Sequence, residues 1–213
     1  MRKITVFLLL CCIGWLLSAR AADSVKNTNN GVLKQSVYID FGKNNGLDGN
    51  VTEGPDQNGH YWNNAIETEY GETLELVSGT NESTGFIMEI TKKFLANGIR
   101  NGGLLVPDQT ELGDLAISTA TQDYFYIEGA GANGSFRIKN LNKNRAYRFY
   151  VFGSRAQTGD EERIGYLSFT GSTGSHGTYR MTGKAIGTNG ENHNTGDSYV
   201  LPQFISTNGL TLS

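Results

Sequence analysis

The side chains best able to do chemistry are scattered along this sequence, and each group lacks something its chemistry requires. Gly196-Asp197-Ser198 is a block in which some serine hydrolases carry their nucleophile. There the later part of the chain must supply an acid and a histidine. Only 15 residues follow Ser198 and none is histidine, so the block reads as a turn. Asp40-Phe41-Gly42 is the metal-holding tripeptide of protein kinases, but no glycine-rich loop, strand lysine or His-Arg-Asp run accompanies it. It reads as the end of a strand. Asn44-Asn45-Gly46-Leu47-Asp48-Gly49 starts like a calcium-binding loop, yet its twelfth position is Pro55 where a bidentate glutamate belongs. This oxygen-rich loop leaves room only for a structural calcium ion of another kind. His60, His176 and His193 lack the spacing of a zinc site. Glu161 and Glu162 sit beside Arg163 and read as a solvated loop, since a glycosidase draws its two carboxylates from separately positioned strands. Neither a catalytic constellation nor a set of metal ligands nor a cofactor is expected.

The elements that position these residues are strands. Glycine makes up 28 of 213 residues and proline only 3, without the period of collagen. Asn-Gly occurs eight times, at 30–31, 45–46, 58–59, 97–98, 101–102, 133–134, 189–190 and 208–209. Both residues tolerate positive φ, which suits tight turns between strands. Between the turns apolar residues alternate with period two: Val37, Ile39 and Phe41; Leu74 and Leu76; Phe86, Met88 and Ile90; then Ile117, Phe125 and Ile127, and Phe136 and Ile138. Tyr147, Phe149 and Val151 form the strongest strand, with Arg148 and Tyr150 on its other face. Ile164 and Tyr166 oppose Leu167 and Phe169, a pattern expected of a strand covered on both sides. The best helical signal covers residues 90–97 and is barely two turns long. An all-β domain, as a β-sandwich or jelly roll, is expected.

The ends and the charge narrow the class further. Arg2 and Lys3 precede an apolar run over residues 4–17, followed by Ala19-Arg20-Ala21. A basic start, a short apolar stretch and a small-x-small site read as a cleavable signal peptide over residues 1–21. Fourteen residues fall short of the ~20 that span a bilayer, so no membrane span is expected. Cys11 and Cys12 are the only cysteines and would leave with it, so the exported domain must rely on its core. Loss of Arg2, Lys3 and Arg20 leaves 15 basic residues against 21 acidic, a net charge of −6. Nucleic acid and anionic membrane are therefore not expected as partners. A flexible leader is expected over 22–35 and the folded domain over 36–213. Bacterial export to the periplasm, cell surface or medium is the expected localisation.

Two stretches carry a resemblance. The first is Val37-Tyr38-Ile39-Asp40-Phe41-Gly42 followed by Gly59-His60-Tyr61-Trp62-Asn63-Asn64; the second is the run 147–155, ending Phe152-Gly153-Ser154-Arg155. Together with Thr84-Gly85, Asn101-Gly102-Gly103-Leu104-Leu105 and Tyr166-Leu167-Ser168-Phe169-Thr170-Gly171, they resemble the galactose-binding-like, carbohydrate-binding-type β-sandwich modules of exported bacterial glycan-degrading proteins. Such modules often precede GDSL/SGNH esterase domains. The resemblance covers roughly 36–212. It implies an accessory module, not itself an enzyme, that binds or positions glycan for a hydrolase; the alternative is a structural spacer with no ligand. It also implies two closing strands, of which Asn208-Gly209-Leu210-Thr211-Leu212 resembles the first, so the last strand and a linked esterase are expected beyond Ser213. Sugar rings stack on aromatic faces while amides and guanidinium groups bond their hydroxyls. Tyr61, Trp62, Asn63 and Asn64, with Arg155, are therefore the implied ligand-binding residues. The competing reading makes Trp62 a plug, Asn63 a turn cap, and Arg155 a partner of Asp40 or a backbone carbonyl.

Overall fold

A computed structural model describes residues 3–11, 35–129, 131–142, 146–155, 163–171, 174–183, 199–200, 204–205 and 210–212. The strands in chain order are β1 (Lys3–Cys11), β2 (Ser36–Phe41), β3 (Trp62–Ala65), β4 (Thr73–Val77), β5 (Ser83–Lys92), β6 (Leu95–Asn97) and β7 (Tyr124–Glu128). They continue with β8 (Ser135–Lys139), β9 (Ala146–Phe152), β10 (Arg163–Gly171), β11 (Gly174–Gly183), β12 (Tyr199–Val200), β13 (Phe204–Ile205) and β14 (Leu210–Leu212). The helices α1 (Gln109–Leu112) and α2 (Ser118–Thr121) are single turns. The fold is all-β. No helix among the described residues is long and apolar enough to cross a membrane.

The strands form two sheets. One runs β12-β9-β1-β2-β3, with β7 also on β1, β6 on β7 and β13 on β9; the other runs β11-β10-β14-β8-β5-β4. All the pairings are antiparallel except that of β2 with β3, where Tyr38 lies opposite Trp62 and Asp40 opposite Asn64. The apolar segment read as an export signal supplies β1, between β2 and β9.

The period-two pattern explains the core. Val37, Ile39 and Phe41 from β2, with Phe149 and Val151 from β9, meet Met88, Ile90, Phe136, Ile138, Leu167 and Phe169 from the other sheet in one buried cluster. A second cluster lies on the opposite face of β2. Tyr38, Trp62, Tyr124 and Phe152 there meet Leu112, Leu115 and Ala120 from the segment holding the two short helices. The side chains between Val37, Ile39 and Phe41 are therefore also buried, with Tyr38 and Asp40 each 3 % exposed.

Three expectations need correction. Residues 90–97 are not helical: β5 runs to Lys92 and Leu95–Asn97 forms β6 against β7. Main-chain pairing on both strands outweighs a helical pattern of barely two turns. Ile117 lies outside any strand, as the extended cap residue of α2. The third is β10, which is one-sided: Leu167 and Phe169 are buried while Tyr166 is 46 % exposed. The leader over 22–34 and the Gly196-Asp197-Ser198 block lie outside the described residues.

The Asn-Gly pairs also divide. Gly46, Gly59 and Gly102 take positive φ as turn residues. Gly98 is extended, at φ −176°, and is glycine for another reason: a Cβ there would overlap the Asp48 carbonyl.

Candidate functional site

The parallel pairing of β2 and β3 places Tyr38 beside Trp62, and the loop before Trp62 brings His60 over the Tyr38 ring. The two rings stack with centroids 4.5 Å apart and planes 16° from parallel, while Trp62 lies 5.2 Å from Tyr38 at 46°. Asp56 organises this loop. One carboxylate oxygen accepts from the Asn58 and His60 amides at 2.8 and 2.9 Å, and the other accepts from Trp62 Nε1 at 2.7 Å. From the helical segment, Asp114 accepts from the Tyr38 hydroxyl at 3.3 Å and lies 3.6 Å from His60 Nε2. Beside the rings opens a cavity of about 210 Å³, lined by Gln35, Ser36, Tyr38, His60, Ser78, Gly79, Thr80 and Glu82. Gly79 is needed there, since a Cβ would come 2.7 Å from the Tyr38 ring. Aromatic rings, hydroxyls and a carboxylate thus line the same cavity. That suits a small uncharged ligand rich in hydroxyl groups.

The sequence-implied residues are placed unequally around this cleft. Trp62, 7 % exposed, is part of the wall behind the Tyr38 ring. Tyr61 is half-buried, with its ring against Gly54. Asn63 is buried on the other face of β3, where its amide donates to Tyr38 O and Val77 O and accepts from Val77 N. Asn64 holds both the amide and the carbonyl of Thr52. The Nε of Arg155 donates to Asn101 O at 2.7 Å, the same carbonyl that accepts from Tyr124 OH. This contact belongs to the loop after β6. None of the five implied residues is among those lining the cavity: Trp62 packs on the Tyr38 ring, the Tyr61 ring lies against Gly54, and Asn63, Asn64 and Arg155 have main-chain partners.

Tyr38 and His60 were missed as site residues. The signal for Tyr38 was its position between Val37 and Ile39, which turns it away from the core shared by those two. No local pattern announces the His60 stack, because it depends on the parallel pairing of two strands separated by a long loop.

Beneath that loop lies a second polar constellation. Asp40 ends β2, and its Oδ2 accepts from the Thr52 hydroxyl at 2.8 Å. Asp123 precedes β7 and accepts from the Lys43 amide at 2.7 Å. One oxygen of each carboxyl, Oδ1, is buried without a partner. Burial pushes Asp40 up to about 7. Burial, together with the nearby Asp40, pushes Asp123 up to about 9. The pair therefore shares at least one proton at neutral pH. Three glycines enclose Asp123: a Cβ on Gly42 or Gly49 would overlap its carboxyl, and one on Gly98 would crowd its Cβ.

The neighbouring loop 44–49 is held by its own side chains. Asn45 Oδ1 accepts from the amides of Leu47 and Asp48. Asp48 pairs with Arg100 at 2.9 Å, which holds its carboxyl down at about 2, and lies 3.6 Å from Lys43 Nζ. Among the described residues no group of three or more His, Cys, Asp or Glu is arranged to hold a metal ion.

Comparison with known proteins gave no match to a protein-family model, a curated protein or a solved structure.

Proposed function

We propose that this chain is an exported accessory module, a galactose-binding-like β-sandwich, that binds or positions glycan for a carbohydrate-active hydrolase. The observation that supports glycan binding best is the cavity that Tyr38 and His60 line together with Thr80 and Glu82. Its volume of about 210 Å³ fits one sugar ring rather than an extended chain. In this reading the exposed part of His60 offers the stacking face, and Thr80 and Glu82 bond the ligand's hydroxyls. Trp62 acts from behind by fixing the Tyr38 ring.

Retention on a panel of immobilised polysaccharides tests this. Wild type should be retarded by at least one of them, and His60→Ala should lose most of that retardation. Its melting temperature should stay within about 5 °C of wild type, as for a mutation costing no more than about 1 kcal/mol. A protein that no polysaccharide retards, or a His60→Ala variant that binds like wild type, would refute the cleft.

The spacer reading has its own support, in the main-chain partners of Asn63, Asn64 and Arg155. A spacer shows no retardation in the same experiment. The module is proposed to be non-catalytic, with Gly196-Asp197-Ser198 read as a turn. Wild type and Ser198→Ala should both leave acetyl esters unhydrolysed above the buffer rate. Hydrolysis abolished by that substitution would make the chain an esterase.

A further inference from the structure

Among the described residues three buried side-chain polar atoms lack a hydrogen-bond partner, and two of them are Oδ1 of Asp40 and Oδ1 of Asp123. Both acids are enclosed, Asp40 at 3 % exposure and Asp123 at 1 %, and they are close enough to repel one another. Unsatisfied buried polar atoms are rare in folded proteins. Two of them on adjacent acids point to one partner common to both.

That partner is not a basic side chain. Arg100 and Lys43, the cations of this region, lie 2.9 and 3.6 Å from Asp48. What surrounds the two acids is oxygen. Asp40 Oδ2 accepts from the Thr52 hydroxyl, which lies 2.9 Å from Thr119 Oγ1. A Cβ on Gly49 would overlap Asp123 Oδ2 and fall 2.7 Å from Lys43 O, which places that carbonyl beside the carboxyl. Glycine at 42 and 49 keeps side chains out of this space.

Buried carboxylates without a basic partner either hold protons or coordinate a metal. Ionised together, these two carry a charge that one divalent cation balances. Oxygen donors favour hard cations, and calcium takes about six to eight of them, carbonyls and waters included, in irregular cages. Magnesium demands a near-ideal octahedron and dehydrates reluctantly.

We propose that Asp40 Oδ1 and Asp123 Oδ1 bind a calcium ion, which clasps the end of β2 to the segment just before β7. The site lies beneath the oxygen-rich loop 44–49 rather than in it, because Asp48 there is committed to Arg100 and Asn45 to main-chain amides. Two carboxylates are the acidic part of the donor set, and main-chain, hydroxyl and water oxygens complete it. Without the ion the pair keeps its shared proton, so the response of the melting temperature to pH belongs to the metal-free protein. The inference does not depend on glycan binding, which is measured separately at the cleft.

The test titrates calcium chloride into the full-chain protein after a chelator has removed bound metal. Calorimetry should show saturable binding, and the melting temperature should rise with calcium concentration. In carbon-13 spectra of wild type, the side-chain carboxyl signals of Asp40 and Asp123 should move most, and that of Asp48 much less. Magnesium at the same concentration should leave all three in place. Asp40→Asn and Asp123→Asn should each weaken calcium binding roughly tenfold or more, since each removes a charged ligand. Asp48→Asn should bind like wild type. The wild-type spectra decide the matter even where a variant fails to fold. No saturable binding, a carboxyl shift centred on Asp48, an equal response to magnesium, or folded Asp40→Asn and Asp123→Asn variants that bind like wild type would each overturn the proposal.

Discussion

Thermal unfolding followed from pH 5 to pH 9 should show the melting temperature falling as the solution becomes more alkaline, because of Asp40 and Asp123. An unfolded aspartate ionises near pH 4, whereas the folded groups hold their protons up to about 7 and about 9. Between these limits the folded state binds more protons than the unfolded one. The stability these groups contribute is complete below about pH 4 and is lost as pH rises through the folded values. Each group adds a slope of at most about 1.4 kcal/mol per pH unit. Asp48, held at about 2 by Arg100, keeps its charge across the whole window and adds no slope there. Asp123→Asn keeps an acceptor for the Lys43 amide and removes the titration. The variant should be less pH-sensitive than wild type and the more stable of the two at pH 9. A melting temperature that rises over this range, or an unchanged profile in Asp123→Asn, would refute the buried protonated pair.

Trp62→Ala should be among the most destabilising single substitutions in the domain. The indole is 7 % exposed, lies 5.2 Å from the Tyr38 ring and donates to Asp56. Truncating a large buried aromatic costs about 3–5 kcal/mol. That is a large share of the roughly 5–15 kcal/mol that holds a domain together. Trp62→Phe retains most of the ring and loses the Nε1 hydrogen bond, for about 1 kcal/mol in the hydrogen-bond term. Asp56 still accepts from two loop amides in that variant. Denaturant unfolding of both variants checks the ranking. The sequence has one other tryptophan, Trp15, in the segment read as a signal peptide, so a product covering 22–213 reports on Trp62 alone. Its emission should be blue-shifted and poorly quenched by iodide. An Ala variant as stable as wild type, with a quenchable wild-type signal, would move Trp62 to the surface.

How much of this could be read beforehand depends on whether each interaction is local. Val37, Ile39 and Phe41, and equally Phe149 and Val151, declare their common face by alternation alone, and all are buried. Asn45-Gly46 and Asn58-Gly59 declare turns for an equally local reason. The cleft is less legible. Trp62 is legible as a residue of consequence, but its neighbour Tyr38, on which His60 stacks, is brought beside it by a parallel pairing that no period-two pattern specifies. Asp40 looked like the end of a strand and is one; nothing near it in the chain foretells Asp123. The same holds for Gly98, whose Asn-Gly signature suggests a turn while its place is set by the Asp48 carbonyl.

The wedge of Asp123 between Gly42, Gly49 and Gly98 bears on the order in which the molecule assembles. Synthesis delivers the loop between β2 and β3 some eighty positions before the side chain that fills its hollow, as the Lys43–Asp123 separation records. Until β7 docks, that stretch has its internal turns but no floor. Closing so long a chain segment delays the contact entropically, so the loop sets late. The hollow bordered by Gly42, Gly49 and Gly98 is thus filled only when the segment just before β7 arrives, and the start of the loop between β2 and β3 takes its final place with it.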